Sequence, residues 1–253
     1  MRKDVILWAG AGQIGMAIAR RIGAGKKIVG GDRKPENAQS IARIMNEAGF
    51  DVVPVQMDLS DKASILKFTE TGRKYGEVAM LVNAAGVSPS QASVETILKV
   101  DLYGTAVLLE EVGKIMKEGG VGVTISSQSG HRMPQLTVEE DELLACTPTE
   151  ELLSLAMLQP ENIKDTLHAY QLAKRCNEKR VMYEAVKWGE KGARINSISP
   201  GIIVTPLAID EFNGVRGEFY KNMFAKCPAG RPGTADEVAT ASYFYGSLRP
   251  DQT

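Results

Sequence analysis

Apolar residues along the chain fall into short continuous runs, separated by longer stretches in which they recur every three or four positions. The short runs Val5–Trp8, Lys27–Val29, Val52–Gln56, Met80–Val82, Val121–Ile125 and Arg194–Ile198 predict strands. The stretches Ile14–Ala24, Glu36–Ala48, Lys62–Tyr75, Val94–Lys117 and Leu167–Trp188 predict helices. Such alternation predicts parallel strands joined by crossover helices, and the nearly continuous apolar strands predict a sheet covered on both faces. With right-handed crossovers the expected architecture is α/β: one doubly wound parallel sheet flanked by helices, formed by residues 1–253 as a single domain. Ligands of such sheets sit beyond the carboxyl ends of the strands.

Bulk properties narrow the field. Of 253 residues, 43% are hydrophobic and 24% charged, enough for a sizeable core under a polar surface. Thirty Lys+Arg stand against thirty-one Asp+Glu for a net charge of −1, with no basic block to attract nucleic acid or an anionic membrane. Cys146, Cys176 and Cys227 are odd in number and far apart, forming neither a disulfide framework nor a metal-ligand spacing. Two histidines, His131 and His168, are too scattered for a zinc site, so no metal is expected. Met1 leads directly into a short apolar run without a signal-peptide pattern, and a cytoplasmic protein is expected.

The chemistry begins at the first strand, which runs into Gly10-Ala11-Gly12-Gln13-Ile14-Gly15 and straight on into helix. This is Gly-x-Gly-x-x-Gly in the strand–turn–helix context that distinguishes dinucleotide binding from a turn kept only for packing. Glycines let the backbone approach a pyrophosphate, whose charge is met by the helix N-terminus. Asp32, seventeen residues past Gly15, can accept hydrogen bonds from the ribose hydroxyls and repel a 2′-phosphate, which favours NAD. The neighbouring Arg33 and Lys34 keep NADP possible, because a cation there pairs with phosphate. Asp58 either faces the adenine or serves a turn, with Ser60 and Asp61 preceding a helix. The small residues of Asn83-Ala84-Ala85-Gly86 would let a cofactor lie close to the sheet, with the asparagine fixing the loop. Tyr170 and Lys174, four apart on a helix, share one face. An ammonium beside a phenol favours the phenolate and lowers a pKa that is ordinarily ~10, which suits proton transfer to a substrate oxygen. Alone, the same spacing fits an ordinary solvated helix face.

In this order the motifs resemble the short-chain dehydrogenase/reductase family over nearly the whole chain. The further matching residues are Ser126-Ser127, Asn196-Ser197-Ile198-Ser199-Pro200-Gly201 with Thr205, and the late Gly230-Arg231-Pro232-Gly233. The resemblance implies a Rossmann-type fold and reversible hydride transfer between nicotinamide and a carbonyl or alcohol carbon. It makes Tyr170 the proton donor, Lys174 the group that tunes it and holds the nicotinamide ribose, and Ser127 the holder of the substrate oxygen. Ser126 and Ser129 are the rivals to Ser127. Residues implied for the cofactor are Gly10, Gly12, Gln13, Ile14, Gly15, Asp32, Arg33, Asp58, Asn83, Ala84, Ala85, Gly86, Tyr170, Lys174, Pro200, Gly201, Ile203 and Thr205. The expected substrate is a secondary alcohol or ketone of an apolar small molecule. The expected assembly, resting on the two long helices Val94–Lys117 and Leu167–Trp188, is a homodimer or homotetramer. The alternatives are an NADP(H)-dependent carbonyl reductase and a non-catalytic dinucleotide-sensing protein.

The chain also departs from the family pattern. Its glycine turn is one residue shorter than usual. Asp101 stands where the family has an asparagine that supports a water chain to the lysine, so it is either a relay member or an occupant of a kinked helix. Ser127 and Tyr170 lie forty-three residues apart instead of about a dozen. The excess, 132–167, is expected to be a helical insertion near the active site, with capping boxes at Thr137–Glu140 and Thr147–Glu150. It reads as a lid or as an interface element, and similar placement in bacterial hydroxysteroid dehydrogenases favours a bulky apolar substrate. Residues 207–226 form a second candidate lid, with Gly214 and Gly217 as pivots and Phe212, Phe219, Tyr220, Met223 and Phe224 as pocket walls. His131 reads as a polar loop residue and Trp8 as core. The final family strand is expected to be missing after the helix Asp236–Tyr245.

Overall fold

The computed structural model of the protein describes residues 3–247. Strand β1 (Lys3–Ala9) leads through helix α1 (Gln13–Ile22) to β2 (Lys27–Asp32), and α2 (Pro35–Glu47) leads to β3 (Asp51–Gln56). Helix α3 (Lys62–Tyr75) returns to β4 (Gly76–Asn83) on the other side of β1. A composite helix then precedes β5 (Met116–Ile125), and α7 (Thr166–Gly189) precedes β6 (Arg194–Ile198). The six strands are all parallel in the order β3-β2-β1-β4-β5-β6, the doubly wound arrangement expected from the alternation. The expected loss of a final strand concerns a chain end that lies outside the described residues.

Strand β1 shows why the apolar runs are continuous. Successive side chains point to opposite faces. Val5, Leu7 and Ala9 enter a core shared with Phe68 of α3 and Val181 of α7, while Ile6 and Trp8 enter one shared with Ile18 of α1 and Met45 of α2. Both faces are buried from Val5 to Ala9, so the run is apolar throughout, and only Lys3 and Asp4 at its start are polar.

The predicted helix Val94–Lys117 is broken. It consists of α4 (Val94–Ile97), a π-helical stretch Leu98–Gly104, and α5 (Thr105–Ile115). Asp101 lies within the wide turn, and its Oδ1 accepts a hydrogen bond of 2.9 Å from the backbone N–H of Val87. The kink expected around Asp101 is thus a local π-bulge, a distortion frequent at functional sites.

The insertion folds as α6 (Val138–Cys146) followed by short 3-10 turns through Asn162. The first capping box forms: the Thr137 N–H donates to Glu140 Oε2 at 2.8 Å, and Thr137 Oγ1 accepts from the Glu140 N–H at 3.1 Å. The second does not. Thr149 instead donates its hydroxyl to Glu110 Oε2 on α5 at 2.7 Å, and the segment starts a 3-10 turn rather than an α-helix. Leu144, Leu152 and Leu158 pack with Leu98, Leu102, Leu172 and Cys176. The insertion therefore covers part of the helical face on which the expected oligomer rested. Helices α8 (Pro206–Asn213), α9 (Gly217–Ala225) and α10 (Ala235–Ser247) complete the described chain.

Because Leu152 is fully buried between the insertion and these helices, Leu152→Ala should cost about 2–5 kcal/mol. Urea unfolding measures this; a loss below ~1 kcal/mol would show that the insertion is not docked on the helices.

Candidate active site

The strand order reverses between β1 and β4, so the loops leaving their carboxyl ends diverge and open a crevice. The two loops touch at its base. Gly10, at φ +90°, would place a Cβ 2.5 Å from the Ala85 backbone, so only glycine is accommodated. Gly10 also donates its N–H to Gly31 O at 2.8 Å, and Ala84 donates to Ala9 O at 2.9 Å. Trp8 extends from core to turn: its indole N–H donates to Gly10 O at 2.8 Å and fixes the shortened glycine loop from below.

A cavity of about 630 Å³ runs along this edge. Its walls include Gly10, Gly12, Gln13, Ile14, Gly15, Asp32, Arg33, Asp58, Ala84, Ala85, Gly86, Ser127, Tyr170, Lys174, Pro200, Gly201, Ile203 and Thr205. Gly12 caps α1 without a side-chain hydrogen bond and has open space where a Cβ would lie. The first N–H groups of the helix are thus presented to the cavity without a protein cap, as an incoming pyrophosphate requires. Asp32 Oδ2 accepts from the Ala11 N–H at 3.1 Å and Oδ1 from the Lys34 N–H at 2.9 Å, which holds the carboxylate at the rim. The cradle fits a dinucleotide.

Two expected site residues are absent from the walls. Asn83 is buried behind the loop, donating from Nδ2 to Thr105 Oγ1 at 3.4 Å, so it supports the loop rather than lining the cavity. Asp101 lies behind Gly86, fully buried, with Oδ2 at 3.8 Å from Lys174 Nζ. It reaches the cavity only through Lys174. Asp58 lines the cavity, and its Oδ1 accepts from the N–H and hydroxyl of Ser60, so it serves the turn. Of the two readings of the insertion, lid or interface element, the lid finds no support in the cavity walls, to which residues 132–167 contribute nothing. Its two ends are held near the cavity, but its apolar side chains follow the helices away from it. Of the second lid, Phe212, Tyr220 and Met223 line the cavity; Phe219 is exposed, and Phe224 packs edge-on against Phe212.

The serines separate by their partners. Ser126 is buried, and its hydroxyl is spent on Lys174 O at 2.9 Å. Ser127 lines the cavity together with Tyr170, and its hydroxyl acts to lower the phenol's pKa. Gly130 lets the serine loop pack against α7, because a Cβ there would meet the Arg175 backbone nitrogen at 2.8 Å. Glu178, which sequence reasoning passed over, sits one turn beyond Lys174. Its Oε1 accepts from Ser126 and from Ser199 at 2.7 Å and lies 2.8 Å from His131 Nε2. It ties the serine loop to the Pro200 loop beneath the site. No local motif marks it; the i, i+4 register with Lys174 was the available signal. The late glycine motif has a similar role, since Gly233 pairs with Ile202 and Val204 and braces the Pro200–Thr205 loop.

Burial pushes the Tyr170 phenol above its ordinary value, assisted by the Asp101 and Glu211 carboxylates. Lys174 and the Ser127 hydroxyl pull it down without prevailing. The expected lowering is therefore one component, and in the ligand-free cavity desolvation outweighs it. For Lys174, burial works downward, but the Tyr170 phenol and Asp101 carboxylate together hold its pKa above the ordinary lysine value. Asp101 is pushed by burial from 3.8 up to about 6, against the pull of Lys174.

Comparison with known proteins agrees with this geometry. The short chain dehydrogenase family model matches residues 3–138, and the enoyl-(acyl carrier protein) reductase model matches residues 142–248. The chain belongs to the short-chain dehydrogenase/reductase family of NAD(P)-dependent oxidoreductases. It is 36% identical over 249 residues to the short-chain dehydrogenase/reductase bsc3 of Alternaria brassicicola, covering 98% of this chain and 90% of the relative. It is 27% identical to the 7alpha-hydroxysteroid dehydrogenase of Bacteroides fragilis over 259 residues, covering 97% and 87%. Its fold also matches a 7 alpha-hydroxysteroid dehydrogenase solved with NADH and 7-oxo glycochenodeoxycholic acid, with TM-score 0.74 and 21% identity over 96% of this chain and 87% of that one.

Asp101 carries a pH signature. Its folded-state pKa of about 6 exceeds the ordinary 3.8, so the native protein binds this proton more tightly than the unfolded chain. The resulting stability is complete below about pH 4 and is lost as pH rises through about 6. Wild-type unfolding free energy should therefore fall across that window relative to Asp101→Asn, and parallel curves would refute the assignment.

Proposed function

We propose that the protein is an NAD(H)-dependent oxidoreductase that interconverts a secondary alcohol and a ketone on an apolar small molecule. The observation that carries this reading is the meeting of Ser127, Tyr170 and Lys174 on one wall of a cavity that opens onto the glycine turn. Bound at the crevice, the dinucleotide supplies or accepts the hydride. The rest is done by the chain. During reduction, negative charge grows on the substrate oxygen, and the hydroxyls of Ser127 and Tyr170 stabilise it there. Tyr170 then gives its proton to that oxygen; in oxidation it takes one back. Lys174, buried with its ammonium 5.3 Å from the centre of the Tyr170 ring, stabilises the phenolate left behind. Asp101 fixes that ammonium from the far side. Asp32 at the rim supports NAD over NADP, since a 2′-phosphate would meet a carboxylate. Walls formed by Val87, Pro89, Leu207 and Met223 support an apolar substrate body.

Tyr170→Phe should lower kcat by about 10²–10⁴-fold while leaving NADH affinity within a few-fold, as measured by steady-state rates and fluorescence titration. A variant as fast as the wild type would refute the acid–base role and favour a dinucleotide sensor. Catalytic efficiency measured with both cofactors should be higher with NADH than with NADPH. The opposite order would transfer the cofactor site to Arg33 and Lys34.

A further inference from the structure

The part of the cavity beyond the reacting groups is not uniformly apolar. Between the loop after β4 and helices α8 and α9, three polar side chains converge: Ser88, Glu211 and Tyr220. Ser88 is 2% exposed, and its hydroxyl has no hydrogen-bond partner among the described residues. Leaving such a group unpaired is costly, so a buried serine on a cavity wall calls for a ligand atom. Glu211 is 3% exposed. Its Oε1 accepts from the Ser90 N–H at 3.0 Å and its Oε2 from the Ser90 hydroxyl at 2.8 Å. Tyr220, partly buried, lines the cavity beside them, and the Glu211 carboxylate helps to raise its pKa. The Ser90 contacts fix Glu211 firmly but do not exhaust the roughly four lone-pair positions of a carboxylate.

We propose that Ser88 and Glu211 form a second polar pole of the substrate pocket, which binds a hydroxyl group of the substrate away from the reacting carbon. The inference rests on the redox reading above and refines its substrate class. The pole offers a carboxylate acceptor, a serine hydroxyl and a tyrosine hydroxyl. A substrate hydroxyl donates to Glu211 and accepts from Ser88, satisfying both. A substrate carboxylate or phosphate at the same place meets Glu211 as a like charge and is rejected. The pole also lies close to the chemistry, because the Glu211 charge is felt at Tyr170. The substrate is therefore an apolar skeleton with two oxygens: the ketone or alcohol held by Ser127 and Tyr170, and a second, unreacting hydroxyl held by Ser88 and Glu211.

A Glu211 that only tied α8 to the loop through Ser90 would give the same contacts to Ser90. It would not explain Ser88, which holds nothing else. The test uses matched pairs of alicyclic ketones, such as 4-hydroxycyclohexanone with cyclohexanone and a hydroxydecalone with its decalone. Rates of reduction with NADH are measured on the full-length enzyme. Binding of each pair to the NADH complex of the Tyr170→Phe protein is measured by calorimetry, which needs no turnover. Wild type should favour the hydroxylated member of a pair at least ~10-fold in both readouts, equivalent to two hydrogen bonds of ~1 kcal/mol each less their ordering cost. The ratio should fall toward one in Ser88→Ala and in Glu211→Gln. Ser88→Ala breaks no hydrogen bond among the described residues, so an unchanged unfolding midpoint separates its effect from misfolding. Turnover or binding that shows no preference, or a preference that survives both variants, overturns the second pole and leaves the redox reading intact. A binding preference without turnover by wild type supports the pole and overturns the redox reading.

Discussion

The structure depends on a steric contact at the point where the strand order reverses. Gly10 meets the Ala84-Ala85 backbone so closely that neither loop has room for a larger side chain between them. The contact sets the floor of the crevice. From it, α1 leaves with its first N–H groups facing the cavity, and the loop after β4 turns toward Ser88 and the substrate side. Trp8 secures the floor by donating its indole N–H to Gly10 O from within the core, which holds the glycine turn in shape.

On this base the reacting groups compete between burial and charge. Tyr170 and Lys174 are brought together on α7 by one turn of helix, but they are also desolvated there. Burial raises the phenol more than the ammonium lowers it. The lysine stays charged because the phenol and Asp101 offset what burial takes away. An asparagine at 101 could not do that electrostatically; a carboxylate can, and it carries its own raised pKa as the cost. The Asp101 substitution and the π-bulge that houses it therefore form one device, acting on Lys174 from behind the cavity wall.

The insertion teaches a different lesson. Its ends must lie near Ser127 and Tyr170, yet thirty-odd residues can travel far from both. Leu144, Leu152 and Leu158 find their apolar partners on α5, α7 and the π-bulge. Polar ties from Thr149 to Glu110 and from Asp141 to Arg175 then hold it in place. The substrate side is closed instead by α8 and α9, which are tied to the loop after β4 through Glu211 and Ser90.

The six strands and their parallel direction are legible in the chain, because hydrophobic periodicity and right-handed crossovers are local or nearly so. Also legible there are the glycine turn, Asp32 and the Tyr170–Lys174 pair, whose spacings are set by one turn or one helix repeat. Only the tertiary structure decided which serine faces the phenol, that Asn83 and Asp101 stand behind the wall, where 132–167 docks, and that Ser88 and Glu211 share a pocket 123 residues apart in sequence. The division has one physical cause. Local spacing fixes which side chains share a face, but burial, and with it pKa and hydrogen-bond partnership, depends on what distant segment packs against that face.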